Sequence, residues 1–575
     1  MEYKVLANAY QELELNTKRL KKTKIISDLI KNVSDEDIEK VVLLLKGQVF
    51  PMSNSSELGM SNRLILKSIS IVTGFNVKEL EDKWREVGDL GVVTQELFKS
   101  KKQNTLFQET LSIQKVFLTL RKLALTEGIG STDQKVKLVS NLLSSASAIE
   151  AKYIIRTVLQ DLRVGVAEGT LRDAIAWTYL TNPNYDDETD SINPDREKYN
   201  EIIEVLQSAI NKTNDYSLIA KLSKQGIHKL KELKITIGKP IKVMLAQRSS
   251  LKDSFDDVGR PAAFEYKMDG FRMQIQKQDD TIRIFTRRLE EVTAQFPDVV
   301  KCIKEHVKAD SFIIDCEAAG YNPKTLKYTP FQNISQRIKR KYDVEKLVKQ
   351  LPVEINVFDL LYLNGEEYLE KPFVKRREEL EKIIVQEPKK IILIKQIVTD
   401  EDEVAARFFD ESISLGNEGL MAKSLDSPYK PGSRVGSMVK IKPHMDELDL
   451  VIVKAEWGTG KRSGWLTSFT VGCYDDGEVL EIGKVGTGLK EKKEEGLSFE
   501  ELTNLLKPII TKQAGREVEV TPSIVVSIRF EEIQKSPSYN SGFALRFPRI
   551  IALREDKPLE EIAFLSEIEE AFSSQ

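Results

Sequence analysis

The sequence is poor in the residues that build disulfide frameworks, zinc sites and histidine-based catalytic centres. Its 575 residues include 3 cysteines, 3 histidines and 4 tryptophans. The cysteines Cys302, Cys316 and Cys473 are too scattered for a disulfide framework or a thiolate zinc site. With so few histidines, a histidine-based metal site or general base is disfavoured in the same way.

Long apolar runs and an excess of charge of one sign are also missing. No stretch is long and apolar enough to span a bilayer, and the N-terminus lacks the apolar centre of a signal peptide. The formal net charge is −3, so any binding to nucleic acid must come from local basic faces. We therefore expect a cytoplasmic protein without a membrane segment.

The chain is too long for a single hydrophobic core, and its pattern changes twice along its length. Residues 1–232 are predicted to be helical. Residues 233–443 alternate strand and helix patterns, which is typical of an α+β domain and begins with a predicted strand at 235–246. Residues 444–575 are almost entirely β with glycine turns, which suits a small barrel of the oligonucleotide-binding (OB) type.

Several local signals in the helical region predict where helices begin and end. A helix is expected from about Pro194 to Ile210, and Gly165 is expected to stop the helix that follows Ser147. Three residue pairs have the spacing of a capping hydroxyl and its partner side chain: Ser131 with Gln134, Ser147 with Glu150, and Thr170 with Asp173.

The stretch EYKMDGFR, residues 265–272, is the most informative in the chain. It places Lys267 ahead of an Asp-Gly pair and Arg272, within an alternating, strand-like run. A strand fixes the lysine amine, an Asp-Gly turn lets backbone approach a ligand closely, and an arginine neutralises phosphate. These residues fit a lysine nucleophile that attacks a phosphate group. Because so short a motif also arises by chance, the downstream segments decide its interpretation.

A lysine that attacks the α-phosphate of a nucleotide needs a base platform, further cations and metal-binding carboxylates around it. Taken singly, the downstream candidates have structural alternatives: surface carboxylates, a core phenylalanine and a solvated strand face. Their order along the chain favours the catalytic interpretation. The candidates are Arg287 in TRR, Glu317 in DCEA, Phe358 in FDLLYLNG, Glu418 and Lys423 in EGLMAK, and Arg434, Lys440 and Lys442 in GSRVGSMVKIK.

In these motifs the chain resembles the superfamily of ATP-dependent DNA ligases and mRNA capping enzymes, and within it the replicative DNA ligases of archaea and eukaryotes. The resemblance extends to GTGKRSG at 458–464, KVGTG at 484–488, ALRFPRIIALREDK at 544–557, and TEGIGSTDQK and DLRVGVAEGTL in the helical region. It departs at Val243, where proline is frequent, and at Met438, where an aromatic residue is frequent. Both departures concern local packing.

The resemblance implies a multidomain ligase that seals nicks in duplex DNA during replication, repair and recombination. A helical DNA-binding domain (1–232) would precede an α+β adenylation, or nucleotidyltransferase, domain (233–443) and a C-terminal OB-fold domain (444–575). The reaction would pass through a lysine–AMP enzyme intermediate and an adenylylated 5′-phosphate. ATP and Mg²⁺ would be the cofactors, with Mn²⁺ as a substitute for Mg²⁺.

The resemblance also implies a role for each motif residue. Lys267 would become adenylylated, Glu265 would read the adenine, and Phe358 would stack on it. The remaining roles are ribose and phosphate contacts for Arg272 and Arg287, ribose or Mg²⁺ contacts for Glu317 and Glu418, phosphate contacts for Arg434, Lys440 and Lys442, and orientation of the pyrophosphate for Arg546 and Arg549.

Nicked double-stranded DNA is the implied partner, and contacts to its phosphates should dominate because a sealing enzyme acts on any sequence. The KKQNTLF segment, with Gln103, Leu106 and Phe107, resembles a shortened peptide that binds a sliding clamp, although these residues also suit packing in the helical domain. We expect a monomer associated with the nucleoid. The DNA-binding candidates, whose glycines could instead only cap helices, are Gly128, Gly130, Ser131, Lys135, Arg163 and Gly165.

Three other functions share parts of this pattern. An RNA ligase or capping-type enzyme has the same core, but the helical N-terminal third and the LRFPR motif favour a DNA ligase. A catalytically silent DNA-binding scaffold would have no need of Lys267, Glu317, Glu418 and Lys440. An NAD-dependent ligase is disfavoured because three scattered cysteines cannot form a four-cysteine zinc module.

Overall fold

A computed structural model divides the chain into two compact units, Met1–Lys442 and Pro443–Gln575. It describes residues 1–51, 53–54, 56–100, 109–329, 331–338, 343–442, 447–459, 462–475, 477–491, 496–555 and 557–574. The side chains of residues 331–333, 335, 434 and 574 lie outside this description. Within the described ranges, no helix is both long and apolar enough to cross a membrane.

The first unit begins with helices that pack around one shared apolar core. Tyr3, Tyr10 and Tyr153 are fully buried in that core, and the rings of Tyr10 and Tyr153 lie 5.1 Å apart. The predicted helical region is confirmed. Its helices are α1 (Tyr3–Leu15), α2 (Arg19–Lys31), α3 (Ile38–Leu45), α4 (Asn62–Thr73), α5 (Val77–Val87), α6 (Leu90–Lys99), α7 (Ile113–Leu125), α8 (Ser131–Ser145), α9 (Ala148–Val158), α10 (Glu168–Ala176), α11 (Arg196–Thr213), α12 (Tyr216–Gln225) and α13 (Ile227–Lys231).

Two of the predicted helix boundaries are confirmed. Helix α9 begins directly after Ser147, whose backbone N–H donates to the Glu150 carboxylate at 2.8 Å, as in a capping box. Helix α11 begins two residues after Pro194, where Asp195 accepts a hydrogen bond from the Lys198 N–H. The polar loop before α11 contains a short hairpin of β1 (Tyr185–Asp186) and β2 (Ser191–Ile192).

The other three local predictions in this region are wrong. Ser131 is the first residue of α8 and not its cap, because Gly130, with φ of +81°, turns the chain directly before it. Thr170 lies inside α10, which begins at Glu168. Helix α9 ends at Val158, so Gly165 lies in the following loop and does not stop the helix.

In the rest of the first unit, the described residues form two β sheets. One has the strand order β10-β8-β7-β5-β6 with β9 beside β8, and the other has the order β11-β4-β12-β13-β3. The elements in chain order are β3 (Leu245–Ser249), α14 (Ser254–Val258), β4 (Ala262–Lys267), β5 (Phe271–Gln278), β6 (Thr281–Thr286), α15 (Pro297–His306), β7 (Ser311–Gly320), α16 (Phe331–Ile338), α17 (Val344–Gln350), β8 (Val353–Leu363), β9 (Glu366–Glu367), α18 (Phe373–Ile383), β10 (Ile391–Leu393), β11 (Gln396–Thr399), α19 (Asp402–Ser414), β12 (Gly419–Ser424) and β13 (Arg434–Ile441).

The predicted strand at 235–246 is mostly wrong, since β3 begins only at Leu245. Side chains from β5 replace the missing strand partner. The Gln274 amide accepts from the Ile241 N–H at 2.8 Å and donates to its carbonyl at 3.1 Å, and the Gln276 amide accepts from the Gly238 N–H at 2.6 Å. Two buried glutamines thus satisfy backbone groups that a neighbouring strand would otherwise pair.

The second unit is built on a curved antiparallel sheet in which β14 pairs with β15, β18 and β19. This half-barrel, which two helices accompany among the described residues, confirms the predicted C-terminal β domain. Its elements are β14 (Glu447–Trp457), β15 (Leu466–Asp475), β16 (Glu478–Val485), α20 (Phe499–Leu506), β17 (Ile510–Ala514), β18 (Glu517–Val520), β19 (Val525–Arg529), β20 (Glu532–Lys535), β21 (Phe543–Arg546), β22 (Arg549–Leu553) and α21 (Leu565–Ser574).

All three cysteines are free thiols. Cys316 in β7 and Cys473 in β15 are buried, and Cys302 in α15 is half-buried. Burial raises the pKa of Cys302 to about 12 and that of Cys473 to about 11, and it also raises the pKa of Cys316. None of the three is therefore a thiolate at neutral pH.

Candidate active site

The EYKMDGFR motif crosses from one sheet of the first unit to the other. Strand β4 ends at Lys267, a short turn follows, and β5 begins at Phe271 in the neighbouring sheet. A Cβ atom on Gly270 in this turn would lie 2.6 Å from the Ala318 carbonyl oxygen and 2.9 Å from Glu317 Cγ. Only glycine fits there, so the crossing brings the lysine of one sheet close to the residues of the other.

Lys267 forms an ion pair with Glu418 that a second lysine shares. Its Nζ lies 2.5 Å from Glu418 Oε2, and Lys442 Nζ lies 3.0 Å from the same oxygen. The Glu418 N–H also donates to the Lys267 carbonyl at 2.8 Å, which fixes the two residues by their backbones. Burial raises the pKa of Glu418, but the charges and hydrogen bonds of Lys267 and Lys442 outweigh burial and hold that pKa at about 2.

Glu317 faces this cluster from the other sheet and has the opposite electrostatic balance. It lies on β7, directly opposite Arg272 of β5 in the strand register. The pKa of Glu317 is raised to about 7, chiefly by burial. The charges of Lys267 and Arg272 lower this pKa, and those of Glu418 and Asp269 raise it, but burial outweighs them. Two of the predicted carboxylates therefore occupy one site with very different proton affinities. The sequence prediction did not include Asp269, although it lies in the same motif as Lys267.

Phe358 and Glu265 form the candidate platform for a base. Phe358, on β8, is half-buried, with Lys423 Nζ at 5.0 Å from its ring centroid and the Arg272 guanidinium carbon at 5.3 Å. Glu265 is 1% exposed. Its carboxylate forms an ion pair with Lys423 at 2.6 Å and accepts a hydrogen bond from the Gln396 amide at 2.9 Å. Buried ion pairing thus orients the side chain that the family resemblance predicts to read the adenine.

Arg272 is held by two residues that the sequence analysis did not select. Its Nη2 donates to Asp315 Oδ2 at 2.5 Å and to the Tyr429 hydroxyl at 3.0 Å, while Nη1 donates to the Met244 carbonyl at 2.9 Å. Asp315 precedes Glu317 by two positions, so strand alternation could have identified it. Tyr429 lies in the loop between β12 and β13, where no periodic signal marks it.

Profiles of a single family match most of the sequence. "DNA ligase N terminus" matches residues 2–176, "ATP dependent DNA ligase domain" matches 243–442, and "ATP dependent DNA ligase C terminal region" matches 462–557. The DNA ligase of Nanoarchaeum equitans is 45% identical over 100% of this chain and 99% of its own length. The DNA ligase of Thermococcus fumicolans is 41% identical over 100% and 99%. The chain belongs to the ATP-dependent DNA ligase family.

The resemblance seen in the sequence motifs is therefore confirmed, as is the predicted order of helical, adenylation and β regions. A solved structure named "Pmar-Lig_Pre" covers 96% of this chain with 99% of its own residues, at a TM-score of 0.57 and 19% identity, and supports the fold alone. Sealing of nicks with ATP is the known function of the family.

The other residues expected to contact phosphate differ in what the structure shows of them. Arg287 is exposed just beyond β6, and no described contact joins it to the Lys267 cluster. Arg434 is the first residue of β13, but its side chain lies outside the described part of the chain. Lys440, on β13, is half-buried opposite Met421 of β12.

Arg546 and Arg549, expected to orient pyrophosphate, belong to the second unit. Arg546 Nη1 lies 3.1 Å from Glu532 Oε2 across the pairing of β20 with β21. Arg549 is exposed at the start of β22. The residues assigned to a clamp contact, Gln103, Leu106 and Phe107, lie outside the described ranges.

The residues expected to contact DNA differ in their availability. Gly128 and Gly130 have φ of +92° and +81°, open space around them, and a fully exposed Ile129 between them. Arg163 is 44% exposed on its side chain, although it pairs with carboxylates of its own domain. Lys135 is the least accessible of the set, because it is 8% exposed and its ammonium donates to the Leu58 carbonyl at 2.9 Å. Its contact with DNA stays a prediction.

Two other expected DNA contacts have partners within the helical region. Gly165 has φ of +63°, and the ammonium of Lys22 occupies the space that a Cβ atom would need, at 2.5 Å. Lys22 Nζ donates to the Val164 carbonyl at 2.6 Å, so this turn is tied to helix α2. Ser131 opens α8 and is half-buried, with its N–H donating to the Gly128 carbonyl.

The carboxylates around Lys267 suit Mg²⁺ shared with a nucleotide. No group of three or more potential metal ligands occurs among the residues that the structure describes. Mg²⁺ is usually held by one or two carboxylates together with substrate phosphates and water, and not by a cage made of protein alone. Glu317 and Glu418, whose charges repel each other across the site, match that pattern.

Proposed function

We propose that this chain seals nicks in duplex DNA, with Lys267 as the residue that carries AMP. The observation that carries the proposal is the position of its amine, 2.5 Å from Glu418 and beside Lys442, where the two sheets meet. A charged lysine in a partly buried position next to a second cation and two carboxylates is typical of a nucleophile and not of a surface salt bridge.

In the first step, the Lys267 amine attacks the α-phosphate of ATP, an N–P bond forms, and pyrophosphate leaves. The amine must lose a proton before it attacks, and Glu418 then loses one of the two cations that pair with it. Lys442 remains 3.0 Å from the same oxygen, so Glu418 is not left as an unpaired, partly buried charge. The shared carboxylate thus lets the lysine react without a large electrostatic penalty.

The nucleotide is proposed to lie between Phe358 and the Arg272 side of the site. Phe358 would stack on the adenine, Glu265 would read its edge, and Arg272 would contact ribose and phosphate. We assign Lys440, Arg434 and Arg287 to the phosphates as well. Mg²⁺ held by Glu317 and Glu418 would neutralise charge on the phosphoryl oxygens. The half-exposed Phe358 ring next to two cations supports this placement.

In the later steps, AMP moves to the 5′-phosphate at a nick, and the 3′-hydroxyl then attacks that phosphate and releases AMP. We propose that 1–232 binds DNA, 233–443 carries the nucleotide, and 444–575 is the OB-fold domain whose Arg546 and Arg549 orient pyrophosphate. DNA contacts are proposed at the turns around Gly130 and Gly165. A monomer that works on chromosomal DNA in the cytoplasm, with a sliding clamp bound through 103–107, completes the proposal.

The test is to incubate the protein, freed of AMP by pyrophosphate, with α-labelled ATP and Mg²⁺ and then to add nicked DNA. We expect a covalent label on the wild type and on Lys252→Ala, an exposed lysine of the same domain, but not on Lys267→Ala. The label should leave as sealed DNA and AMP appear. Labelling of Lys267→Ala would exclude Lys267 as the nucleophile, and a label released only by nicked RNA would assign the chain to RNA ligation.

A further inference from the structure

The Tyr429 hydroxyl connects two strands of the proposed nucleotide site with the residue that precedes a third strand. It donates to Asp315 Oδ2 at 2.6 Å, and it accepts from Arg272 Nη2 at 3.0 Å and from the Met244 N–H at 3.1 Å. Asp315 lies on β7, Arg272 lies on β5, and Met244 directly precedes β3. The residue is 1% exposed, so it touches no ligand itself.

The loop that carries Tyr429 forms hydrogen bonds with several neighbouring segments. The Tyr429 N–H donates to the Leu369 carbonyl at 2.7 Å, and the Ser427 carbonyl accepts from buried Arg376 at 2.9 Å. From the helical region, the Asn211 amide donates to the Pro431 carbonyl at 2.7 Å. A side chain on a loop with this many hydrogen bonds has little freedom to move, so its hydroxyl keeps a fixed position.

The Tyr429 hydroxyl is one of three groups that orient Arg272, with Asp315 and the Met244 carbonyl. Among the described residues, Asp315 Oδ1 and Arg272 Nε have no hydrogen-bond partner, so the two charges meet through one oxygen and not as a two-pronged pair. The guanidinium also donates from Nη1 to the Met244 carbonyl at 2.9 Å and from Nη2 to the Tyr429 hydroxyl at 3.0 Å. Because the same hydroxyl bonds Asp315 Oδ2 and the Met244 N–H, it connects the two residues that hold Arg272 and fixes them relative to each other.

We infer that Tyr429 is a positioning residue for ATP, acting through Arg272. This inference rests on the proposed function, in which Arg272 contacts the ribose and phosphate of the nucleotide. The phenol fixes the guanidinium beside the Phe358 ring, 5.3 Å from its centroid, before the nucleotide arrives. Its loss should therefore weaken nucleotide capture and leave the later transfer of AMP to DNA almost unchanged.

The experiment is a double-mutant cycle on self-adenylylation, with Tyr429→Phe, Arg272→Lys and the double variant. Tyr10→Phe is the matched control, because Tyr10 is also fully buried and its hydroxyl donates to a carbonyl at 2.6 Å, but in the helical region. Initial rates against ATP concentration give KM and kcat separately. Calorimetric melting of each variant shows whether it is folded, and Asp315→Asn replaces Tyr429→Phe in the cycle if the latter does not fold.

We expect Tyr429→Phe to raise KM for ATP about tenfold, as loss of a hydrogen bond to a charged group would, with kcat within about twofold of wild type. Tyr10→Phe should match the wild type in both constants. In the Arg272→Lys background, the tyrosine substitution should change KM less than about twofold, because its effect passes through the guanidinium. An equal KM effect in both backgrounds, or a wild-type KM in Tyr429→Phe, would overturn the inference.

Failure of the proposed function gives a different result. If the wild type forms no adduct with ATP, the assignment of Lys267 fails regardless of Tyr429. The same four proteins would then be compared for ATP binding by titration calorimetry. Weaker binding in Tyr429→Phe, absent in the Arg272→Lys background, would still support the positioning role, and equal binding in all of them would reject it.

Discussion

Glu317→Gln should make the protein more stable at alkaline pH while it abolishes or strongly reduces adenylylation. The wild-type carboxyl has its pKa raised from 4.5 to about 7 in the folded chain, chiefly by burial. Between these values the folded state binds a proton that the unfolded state has released, so stability falls as pH rises. The penalty is absent below pH 4.5, grows through the interval and is complete above about pH 7. Glutamine, always neutral, never incurs it.

The size of the effect follows from the shift. Each pKa unit corresponds to about 1.4 kcal/mol, so the full difference is roughly 3 kcal/mol. Because the Glu317 side chain is only half-buried, solvent screening reduces this to about 1.5–3 kcal/mol. For a domain of this size, such a gain raises the apparent Tm by roughly 5 °C at pH 8 and by almost nothing at pH 4.5.

The assay is scanning calorimetry from pH 4.5 to 8.5, in EDTA and with AMP removed, on the transition that ATP shifts upward. Glu345→Gln, on an exposed residue of α17, serves as the matched charge-removal control and should not differ from wild type with pH. A Glu317→Gln variant whose Tm difference from wild type is constant across this range, or negative at pH 8, would refute the argument from burial.

Three further substitutions test the site by other routes. Phe358→Ala should weaken ATP binding by roughly tenfold while nicked-DNA binding stays unchanged, and equal losses in titrations of both ligands would contradict base stacking. Gly270→Ala places a Cβ atom 2.6 Å from the Ala318 carbonyl oxygen, so we expect adenylylation to fall about a hundredfold, which single-turnover labelling measures. Lys423→Met removes the ion-pair partner of the buried Glu265 carboxylate, which should lower the free energy of unfolding by about 3–5 kcal/mol in chemical denaturation. Adding Glu265→Gln should restore most of that stability.

The sequence predicted the general architecture well because local patterns determine it. The alternating run before Lys267, the apolar strand before Glu317 and the aromatic strand around Phe358 all became strands at the expected positions. Helix ends were less predictable. At Ser131 and Thr170 the capping signal competed with backbone turns that the tertiary structure sets, and the signal did not mark the start of either helix.

The site residues could be predicted only where they occur in short sequence motifs that indicate a particular chemistry. Lys267, Glu418 and Lys442 occur in short motifs, and the structure brings them within hydrogen-bond distance. Tyr429 and Asp315 are 114 positions apart, and only the fold makes them neighbours. The burial of Lys135 in helix α8 was also not predictable, because a lysine close to a glycine turn gives no sign in the sequence of how much the fold will cover it.

The chemistry of the three cysteines has a practical consequence for studying motion. With thiols that are buried or half-buried and hardly ionised, the chain should react only slowly with maleimides and iodoacetamides at neutral pH. A single cysteine introduced at an exposed residue of each unit could then carry a fluorophore without removal of the native ones. Energy transfer between two such dyes would follow the distance between the units through nucleotide binding, adenylylation and sealing.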